Sequence, residues 1–484
     1  MHPVHADHRH PLSAYIGRRA CSLLGLGVSH LPLCELLCDL GIDVTVYDKK
    51  SPEELGERAM ALAARGVPFV WGDDCFSRIE GELILRSPGL RPDLPALLDA
   101  VARGAELTSE TELLLALCPA TAFGITGSDG KTTTTTLTGL FLKESGHTTY
   151  VGGNIGTPLL PIVAQMTEKD RVVLELSSFQ LMTMSSAPRY AAITNLSPNH
   201  LDWHRGMAEY AAAKEHVLGA DTRRLVTNAD CDVTAALARR ELACGQREVV
   251  LFSSHRQHFA DFSEFFAIAP LTALYERDGV LLCSDGQSET PLLRCADIRL
   301  PGRHNLENYM TAMGLTLGEV PIEVYTRVAR EFCGVEHRLE HVRTLDGVDY
   351  YNSSIDSSPT RTAAALSALA GRDITVICGG YDKKIPFEPL AEALCAHARA
   401  VVLTGATAQK IHRALLARPH DDTARLTVVL ASDFSDAVMQ ARRLARPGGC
   451  VLLSPACASF DAFRNFAERG NVFKEIVRGL DTEN

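Results

Sequence analysis

Short apolar segments alternate with helix-like patterns of apolar residues along most of the chain. This alternation is typical of α/β units, in which a helix connects neighbouring parallel strands. The segments predicted as strands are 21–26, 42–47, 82–86, 121–126, 172–176, 191–196, 374–378, 400–404 and 450–453. The pattern therefore predicts an α/β fold with mainly parallel sheets.

The predicted strands fall into three clusters, which indicate three domains. The first cluster ends near Glu110, where TSETELLLAL predicts a helix start with Thr108 or Ser109 as its N-cap. The second cluster runs to about Cys333, and a third set follows the segment 337–342. We therefore expect domains at 1–109, 110–334 and 335–484.

The composition of the chain limits the kinds of ligand and macromolecule that it is expected to bind. The chain has 484 residues, with 48 Lys and Arg against 59 Asp and Glu, and its formal net charge is −11. This balance argues against binding to nucleic acid or to anionic membranes, although it allows a local cationic pocket for a phosphorylated ligand. No apolar run approaches the roughly 18 residues that span a bilayer. The 14 cysteines occur without any CxxC pair, which indicates reduced thiols and a cytoplasmic location.

A glycine turn follows the first predicted strand. Gly25 and Gly27, together with Asp48 after the second strand, resemble the dinucleotide fingerprint, in which glycines let a helix N-terminus approach phosphate. His30 occupies the third glycine position, and this argues against NAD. Two interpretations stay open: a purely structural turn, or a nucleotide-like ligand held in a related way.

The segment GITGSDGKTTTTT at 124–136 follows a predicted strand and opens a predicted helix. In such a loop the backbone N–H groups bind phosphate oxygens, a lysine neutralises the terminal phosphates, and the next hydroxyl ligates Mg²⁺. Lys131 and Thr132 fit these two roles. The generic G-x-x-x-x-G-K-[ST] spacing would require glycine at Ile125, and the loop instead reads G-x-x-G-K. The segment predicts ATP binding.

This short loop resembles that of the Mur ligase and folylpolyglutamate synthetase superfamily, which reads roughly TGxxGKT/S. Further segments occur in the order that Mur ligases show: VGGNIGTPLL (151–160), LELSSFQL (174–181), NLSPNHLDWH (195–204), YAAAK (210–214), GRHNLEN (302–308), EHRLE (336–340), SSPTRT (357–362), GGYDKK (379–384) and SPACASFDAFRNFAERG (454–470). The resemblance covers nearly the whole chain from Cys21 onward. It implies a Rossmann-like N-terminal domain, a central P-loop ATPase domain and a Rossmann-like C-terminal domain.

Within this family, the motifs are most similar to those of members that add D-glutamate to UDP-N-acetylmuramoyl-L-alanine in cytoplasmic peptidoglycan synthesis. The resemblance implies an ATP-dependent amide-forming ligase that uses ATP and Mg²⁺ and forms an acyl phosphate. No D-N-P-R segment is present, which argues against the diamino acid-adding relatives. A non-catalytic nucleotide-binding paralogue and an NAD oxidoreductase are the alternatives from other classes. A monomer is the family default.

The resemblance also implies the chemical role of individual residues in the central domain. The residues expected to be catalytic are Lys131, Glu175, His200 and Lys214, and those expected to hold the metal are Thr132, Glu175, His200 and Lys214. Residues expected to bind ATP are Gly127, Ser128, Asp129, Gly130, Lys131, Thr132, Thr133, Asn305, Arg338 and Asp356. Lys214 is expected to be carbamylated by CO₂, because an ammonium group beside Mg²⁺ would be repelled whereas a carbamate would support the metal. The roles of Asp202 and His204 are left undetermined.

The family resemblance also implies which residues contact the two other substrates. The residues expected to bind the UDP-sugar are Val28, Ser29, Asp48, Lys49, Ser87, Asn154 and Ser177. Those expected to bind D-glutamate are Thr360, Lys383, Ser459 and the backbone N–H of Phe466. Lys384 is a candidate to share the role of Lys383, and the role of Ser358 is open. Ser459 has a second interpretation, as the cap of a helix starting around Asp461.

Overall fold

The computed structural model describes residues 10–27, 29–201, 203–300, 302–382, 386–419 and 425–481. The chain forms two compact units, Met1–Glu331 and Phe332–Asn484. The first unit contains two sheets and the second contains one. The predicted α/β fold is thereby confirmed, while the domain boundaries at residues 110 and 335 stay predictions.

The first sheet is parallel throughout its described strands. In chain order these are β1 (Cys21–Leu24), β2 (Val44–Asp48), β3 (Phe69–Trp71), β4 (Leu83–Arg86) and β5 (Glu106–Thr108), arranged β3-β2-β1-β4-β5. The helices around it are Pro11–Ile16, His30–Asp39, Pro52–Leu55, Glu57–Ala64 and Pro95–Ala102. All four residues of β1 and of β4 are buried, as expected for central parallel strands covered on both faces. The loops that follow these two neighbouring strands therefore meet at one edge of the sheet.

The second sheet is mainly parallel and ends in an antiparallel hairpin. Its strands are β6 (Thr121–Thr126), β7 (Thr149–Gly153), β8 (Arg171–Glu175), β9 (Tyr190–Ile193), β10 (Arg224–Asn228), β11 (Glu248–Ser253), β12 (Thr272–Arg277), β13 (Val280–Ser284) and β14 (Glu289–Arg294). The order is β14-β13-β12-β11-β10-β9-β6-β8-β7, and only the β12–β13 and β13–β14 pairs are antiparallel among the described strands. β6 lies between β8 and β9, which places the ends of these strands side by side.

Helices pack around the second sheet and continue to the end of the first unit. The α-helices are Glu110–Leu117, Lys131–Glu144, Ser178–Leu181, Met207–Glu215, Asp232–Cys244, Ser263–Phe266, Arg303–Thr316 and Ile322–Glu331. Short 3₁₀ helices occupy Leu160–Gln165, Phe259–Phe262 and Cys295–Asp297. The longest of these elements, Lys131–Glu144 and Arg303–Thr316, pack against each other beside the sheet.

The second unit contains one sheet with helices on its two faces. Its strands are β15 (Glu340–Leu345), β16 (Val348–Asn352), β17 (Ile374–Cys378), β18 (Ala398–Leu403), β19 (Thr427–Leu430) and β20 (Cys450–Leu453), arranged β15-β16-β20-β17-β18-β19. The helices are Pro359–Ala368, Glu388–His397, Ala408–Leu416, Phe434–Leu444 and Phe466–Arg478. Val376 and Leu452 enter one apolar core, whereas their neighbours Ile377 and Leu453 enter the other. This alternation reflects the two-residue period of a strand.

Each of the nine predicted strands is present, with ends that differ by up to three residues. The strands that were not predicted include the three-residue edge strand β3, whose Val70 and Trp71 are exposed, and the hairpin β13–β14. β3 has only three residues, and β14 begins with polar residues and contains Pro291, so neither shows a clear strand pattern. β13 contains an apolar run, 280–283, that was not predicted as a strand. Among the described residues, no helix has the length and apolarity required to cross a membrane.

The choice between Thr108 and Ser109 as N-cap is resolved by a hydrogen bond. Ser109 Oγ accepts from the backbone N–H of Glu112 at 3.1 Å, while Thr108 Oγ1 is buried without a hydrogen-bond partner in the described chain. We expect Ser109→Ala to lower the free energy of unfolding of the first unit by about 1 kcal/mol, because one helix N–H loses its acceptor. Thr108→Val is the matched control and is expected to be close to neutral. Urea unfolding measures both, and equal effects of the two variants would contradict the cap assignment.

Candidate active site

The glycine loop between β6 and the helix Lys131–Glu144 has two positions that require glycine. Gly127 has a φ of 142° and Gly130 a φ of 79°, both in the range that favours glycine. A Cβ atom at Gly127 would overlap Thr194 Oγ1, and one at Gly130 would overlap Asn308 Oδ1. The loop therefore packs tightly against its neighbours and leads into a helix N-terminus, the arrangement that presents backbone N–H groups to phosphate.

The segment after β9 holds this loop in place. Ser128 Oγ donates to Ser197 O at 3.0 Å and accepts from Ser197 N at 3.0 Å. Asn195 Oδ1 accepts from Asp129 N at 3.0 Å, and Thr194 Oγ1 donates to Asp129 O at 2.6 Å. The loop conformation is thus fixed by protein contacts. Binding of a phosphate ligand would therefore cost little free energy for ordering the loop.

Two lysine side chains converge on a single carbonyl of the loop. Lys131 Nζ donates to Gly127 O at 2.9 Å and to Ser128 O at 2.9 Å. Lys214 Nζ donates to the same Gly127 O at 2.8 Å and to Thr126 Oγ1 at 3.2 Å. Two ammonium groups on one acceptor repel each other, so this geometry favours loss of the proton from the more buried amine.

That amine belongs to Lys214, which is only 1% exposed. Burial, reinforced by the charge of Lys131 and opposed by Glu175 and Asp129, lowers the pKa of Lys214 to about 6. The Lys214 Nζ also lies 4.7 Å from the ring centroid of Tyr210, whose hydroxyl is 3.0 Å from Ser128 Oγ. The side chain is therefore a neutral amine at pH 7, held against the phosphate loop.

Glu175 ends β8 directly beside β6. Its Oε1 accepts from Asn154 Nδ2 at 2.8 Å, whereas its Oε2 is buried without a hydrogen-bond partner in the described chain. Asn154 N also donates to Glu175 O at 2.8 Å. A Cβ at Gly153 would overlap Glu175 O, so glycine is required for this close approach. The free carboxylate oxygen is a ligand of the kind that Mg²⁺ prefers.

The donor set around the loop fits a nucleotide with its metal ion. Lys131 supplies positive charge, Thr132 follows it at the start of the helix, and Glu175 offers an unpaired oxygen. Within the described ranges, no group of three His, Cys, Asp or Glu side chains forms a metal site by itself. A metal here would therefore share its coordination with hydroxyl and substrate oxygens, as is usual for Mg²⁺ bound with phosphates.

The two histidines of the loop after β9 have different surroundings. His200 is exposed, has a φ of 54°, and stands edge-on to Phe179 at 4.9 Å between ring centroids. His204 is 2% exposed, its Nε2 lies 2.9 Å from Ser178 Oγ, and its Nδ1 lies 3.4 Å from Glu209. Burial lowers the pKa of His204. His204 therefore packs as part of the protein interior, while His200 faces outward; Asp202 lies outside the described residues.

A cleft of about 290 Å³ opens beside the first sheet, which we call the N-terminal cleft. Its lining includes Ser29, His30, Arg86, Ser87, Asn154 and Gln180. Three of the residues predicted to bind the UDP-sugar, Ser29, Ser87 and Asn154, are thereby brought together from separate loops. Ser177 caps the short helix that carries Gln180, and its Oγ accepts from Gln180 N at 3.2 Å.

The other residues predicted to bind the UDP-sugar have different positions. Asp48 Oδ2 accepts from Leu26 N at 2.7 Å and its Oδ1 accepts from Lys50 N at 2.9 Å, so the carboxylate fixes the glycine turn. Asp48 and the exposed Lys49 are not among the residues lining the cleft. Val28 lies outside the described residues.

In the second unit, predicted ATP and D-glutamate residues lie near the ends of parallel strands. Asp356 is 7% exposed, and its Oδ2 accepts from Ser454 Oγ at 2.8 Å. Burial raises the pKa of Asp356, while the charge of the exposed Arg338 opposes that rise. Thr360 is exposed in the first turn of its helix. Lys383 and its neighbour Lys384 lie outside the described residues.

Ser459 does not cap a helix at Asp461. The helix begins at Phe466, and its N-cap is Asn465, whose side chain accepts from Glu468 N at 2.9 Å. The capping interpretation of Ser459 is therefore wrong, because the intervening residues form turns instead of a helix. Phe466 is the first residue of its helix, so its backbone N–H has no acceptor within that helix.

Several residues that build the site were not assigned a role from the sequence. Tyr210 opens the YAAAK segment and Arg86 ends a predicted strand. The contacts of Tyr210 with Ser128 and of Arg86 with Phe179 become visible only in the tertiary structure. Asn308 contacts the predicted ATP residue Asn305, with Nδ2 donating to Oδ1 at 3.1 Å, and also lies against Gly130. The three-residue spacing of Asn305 and Asn308 on one helix face is the signal that would have found Asn308.

A phosphate loop with two lysines and a carboxylate at the ends of parallel strands defines a P-loop nucleotide-binding α/β protein. Residues 125–316 match the family of the Mur ligase middle domain, and residues 337–457 match the Mur ligase, glutamate ligase domain. The chain belongs to the Mur ligase family.

Relatives match over almost their entire length. The UDP-N-acetylmuramoylalanine--D-glutamate ligase of Ruminiclostridium cellulolyticum is 42% identical over 470 residues, which cover 96% of this chain and 97% of the relative. The enzyme of the same name from Clostridium novyi is 43% identical over 469 residues, covering 96% of this chain and 98% of that one.

Solved structures share the fold at lower identity. UDP-N-acetylmuramate-alanine ligase MurC from Thermotoga maritima has a TM-score of 0.53 at 18% identity and covers 95% of this chain and 99% of that chain. A UDP-N-acetylmuramoyl-L-alanyl-D-glutamate--2,6-diaminopimelate ligase has a TM-score of 0.54 at 16% identity and covers 84% and 94%, respectively. These likenesses support the fold of the chain.

We expect Lys131→Ala to lower ATP turnover by more than about 100-fold, because the phosphates lose a positioned positive charge. Lys131 does not line the N-terminal cleft, so binding of a UDP-sugar measured by calorimetry should persist. Lys143→Ala, at the exposed far end of the same helix, is the matched control. Turnover within a few fold of the parent protein in Lys131→Ala would remove this lysine from the mechanism.

Proposed function

We propose that the chain is an ATP-dependent ligase that joins D-glutamate to UDP-N-acetylmuramoyl-L-alanine. The observation that carries this proposal is the convergence of Lys131 and Lys214 on Gly127 O beside the unpaired oxygen of Glu175. The relatives at 42% and 43% identity support the choice of substrates. We place the reaction in the cytoplasm, where ATP is supplied.

The reaction must first activate a carboxylate, which is a poor electrophile. A carboxylate oxygen of UDP-N-acetylmuramoyl-L-alanine attacks the γ-phosphorus of ATP, the bond to the β,γ-bridging oxygen breaks, and ADP leaves. The amine of D-glutamate then attacks the acyl carbon, phosphate departs, and the nitrogen loses a proton. Both anions must approach each other in the first step, so most of the catalysis lies in positioning and in neutralising negative charge.

The protein groups at the loop suit that task. Lys131 would neutralise the terminal phosphates, and the loop N–H groups would bind their oxygens. Thr132, Glu175, His200 and a modified Lys214 would hold the metal. When bound, Mg²⁺ supplies charge screening between ATP and the carboxylate. Asn154, which donates to Glu175 Oε1, would keep the carboxylate oriented so that its other oxygen stays available.

Carbamylation of Lys214 is proposed on the basis of its surroundings. The amine nitrogen attacks the carbon of CO₂, one C=O bond becomes C–O⁻, and the nitrogen loses a proton. This step needs a neutral amine, and burial against Gly127 O and Tyr210 provides one. The product keeps one N–H, so the hydrogen bond to Gly127 O can persist, and it converts a neutral amine beside the metal into an anion.

We expect Lys214→Ala to lower activity by roughly 10- to 100-fold, as for loss of a group that supports a metal. Short carboxylates such as formate or acetate should restore part of the activity by filling the vacated space. Lys169→Ala, at an exposed position of the same unit, is the control and should neither lose activity nor respond to carboxylates. Carbon-13 NMR with labelled CO₂ should show a carbamate signal that is lost in Lys214→Ala. An active parent protein without that signal would contradict carbamylation.

D-glutamate is proposed to bind the second unit through Thr360, Lys383, Ser459 and the N–H of Phe466. Ser459 is 2% exposed and caps no helix. Phe466 N–H lies at a helix N-terminus, where a carboxylate is favoured. Two carboxylates must be held while the amine stays free, and these donors match that requirement.

We expect Ser459→Ala to raise the KM for D-glutamate about tenfold or more, since a hydrogen bond to a charged group is lost. The KM values for ATP and the UDP-sugar should stay unchanged. The free energy of unfolding should change by less than about 0.5 kcal/mol. Ser435→Ala, at an exposed helix position of the same unit, is the matched control. A loss of about 1 kcal/mol with an unchanged KM for D-glutamate would mean that Ser459 is structural.

The test of the function itself is phosphate release with ATP, a panel of UDP-muramoyl acceptors, and a panel of amino acids. We expect release only with UDP-N-acetylmuramoyl-L-alanine and D-glutamate together. Release with a different acceptor or amino acid would assign the chain to another Mur ligase reaction. No release with any pair would support a nucleotide-binding paralogue without catalysis.

A further inference from the structure

Arg86 is a fully buried arginine in the wall of the N-terminal cleft. It is the last residue of β4, its relative exposure is 0%, and it lines the cleft beside Ser29 and Ser87. No carboxylate forms an ion pair with it among the described residues. A buried charge without a counter-ion is costly, so its presence in a ligand cleft requires an explanation.

The guanidinium joins two segments beside the cleft through neutral acceptors. Nη1 donates to Pro88 O at 3.1 Å and to Leu90 O at 2.5 Å, in the loop that follows β4. Nη2 donates to Phe179 O at 2.8 Å and to Thr183 Oγ1 at 3.1 Å, at the short helix that follows Glu175. Arg86 therefore ties the loop of the first sheet to the element next to the proposed metal ligand.

These bonds leave the positive charge unneutralised. Carbonyl and hydroxyl oxygens satisfy the terminal nitrogens, while Nε is buried without a hydrogen-bond partner in the described chain. Burial lowers the pKa of Arg86 only to about 10, so the group is a cation at pH 7. The neighbouring His30 is held neutral, because burial lowers its pKa to about 4. Burial also raises the pKa of Glu110, the carboxyl group in the cleft lining, which weakens it as a counter-ion.

We propose that Arg86 is a specificity residue of the N-terminal cleft, whose uncompensated charge selects a ligand with an anionic diphosphate and whose hydrogen bonds position the cleft walls around it. This inference rests on the proposed binding of the UDP-sugar in this cleft. In a low-dielectric wall the attraction between the guanidinium and the diphosphate is screened far less than in water. The diphosphate thus supplies the negative charge that balances the Arg86 guanidinium.

The test compares binding of UDP and of uridine, since the two differ only in the diphosphate. Calorimetry is done on the full chain and on Arg86→Met, which keeps the apolar stem of the side chain but removes the guanidinium and its charge. We expect the affinity for UDP to fall about tenfold or more relative to any change in the affinity for uridine. Arg103→Met is the control, because Arg103 is exposed and donates to Ile79 O at 2.7 Å.

A second variant separates charge from structure. Arg86→Lys keeps the cation but loses most of the carbonyl contacts, so we expect the preference for UDP over uridine to persist even if both affinities fall. If Arg86→Met fails to fold, the ratio of the UDP and uridine affinities of Arg86→Lys still tests the role of the charge. Equal losses for UDP and uridine, or no loss, would overturn the proposal. Absence of UDP binding in the parent protein would instead overturn the assignment of the cleft, independently of any measurement of ligation.

Discussion

The chemistry of the first unit depends on how closely the glycine loop approaches the strands beside it. Gly127 and Gly130 leave room for Thr194 and Asn308, and this lets the carbonyl of Gly127 receive the amines of Lys131 and Lys214 together. That shared acceptor, together with the burial of Lys214, lowers the pKa of Lys214 and so gives the two lysines different charge states. A side chain at either glycine would separate these groups and the roles that follow from them.

The charges at the N-terminal cleft also depend on tertiary contacts. Arg86 is buried among carbonyls and is left without an anion, whereas Asp48, the acid of the glycine turn, is already engaged by backbone N–H groups. An anionic ligand therefore meets a preformed positive site and no competing carboxylate from the fingerprint. Arg86 donates to Phe179 O in the helix Ser178–Leu181, which follows Glu175 closely in the chain.

Local sequence patterns were sufficient for nine of the strands and for the phosphate loop. Continuous apolar runs such as 121–126 and 450–453 predict buried parallel strands, because both faces of such a strand must be covered. The loop was recognisable because glycine, lysine and threonine act there at fixed short spacings. The edge strand Phe69–Trp71 was missed because three residues are too few to show a strand pattern. The buried strands β10 and β11 were also missed, so burial alone does not make a strand recognisable from local sequence.

The sequence by itself determined the α/β class, the family resemblance, and the identity of Lys131, Glu175 and Lys214 as candidates. Only the tertiary structure decided that Lys214 is buried against Gly127 O, that Ser459 caps no helix, and that Arg86 lies uncompensated in a cleft. The physical reason is that protonation, burial and charge balance depend on groups brought together across 80 residues or more, as with Lys214 and Thr126. A local pattern carries no information about such neighbours.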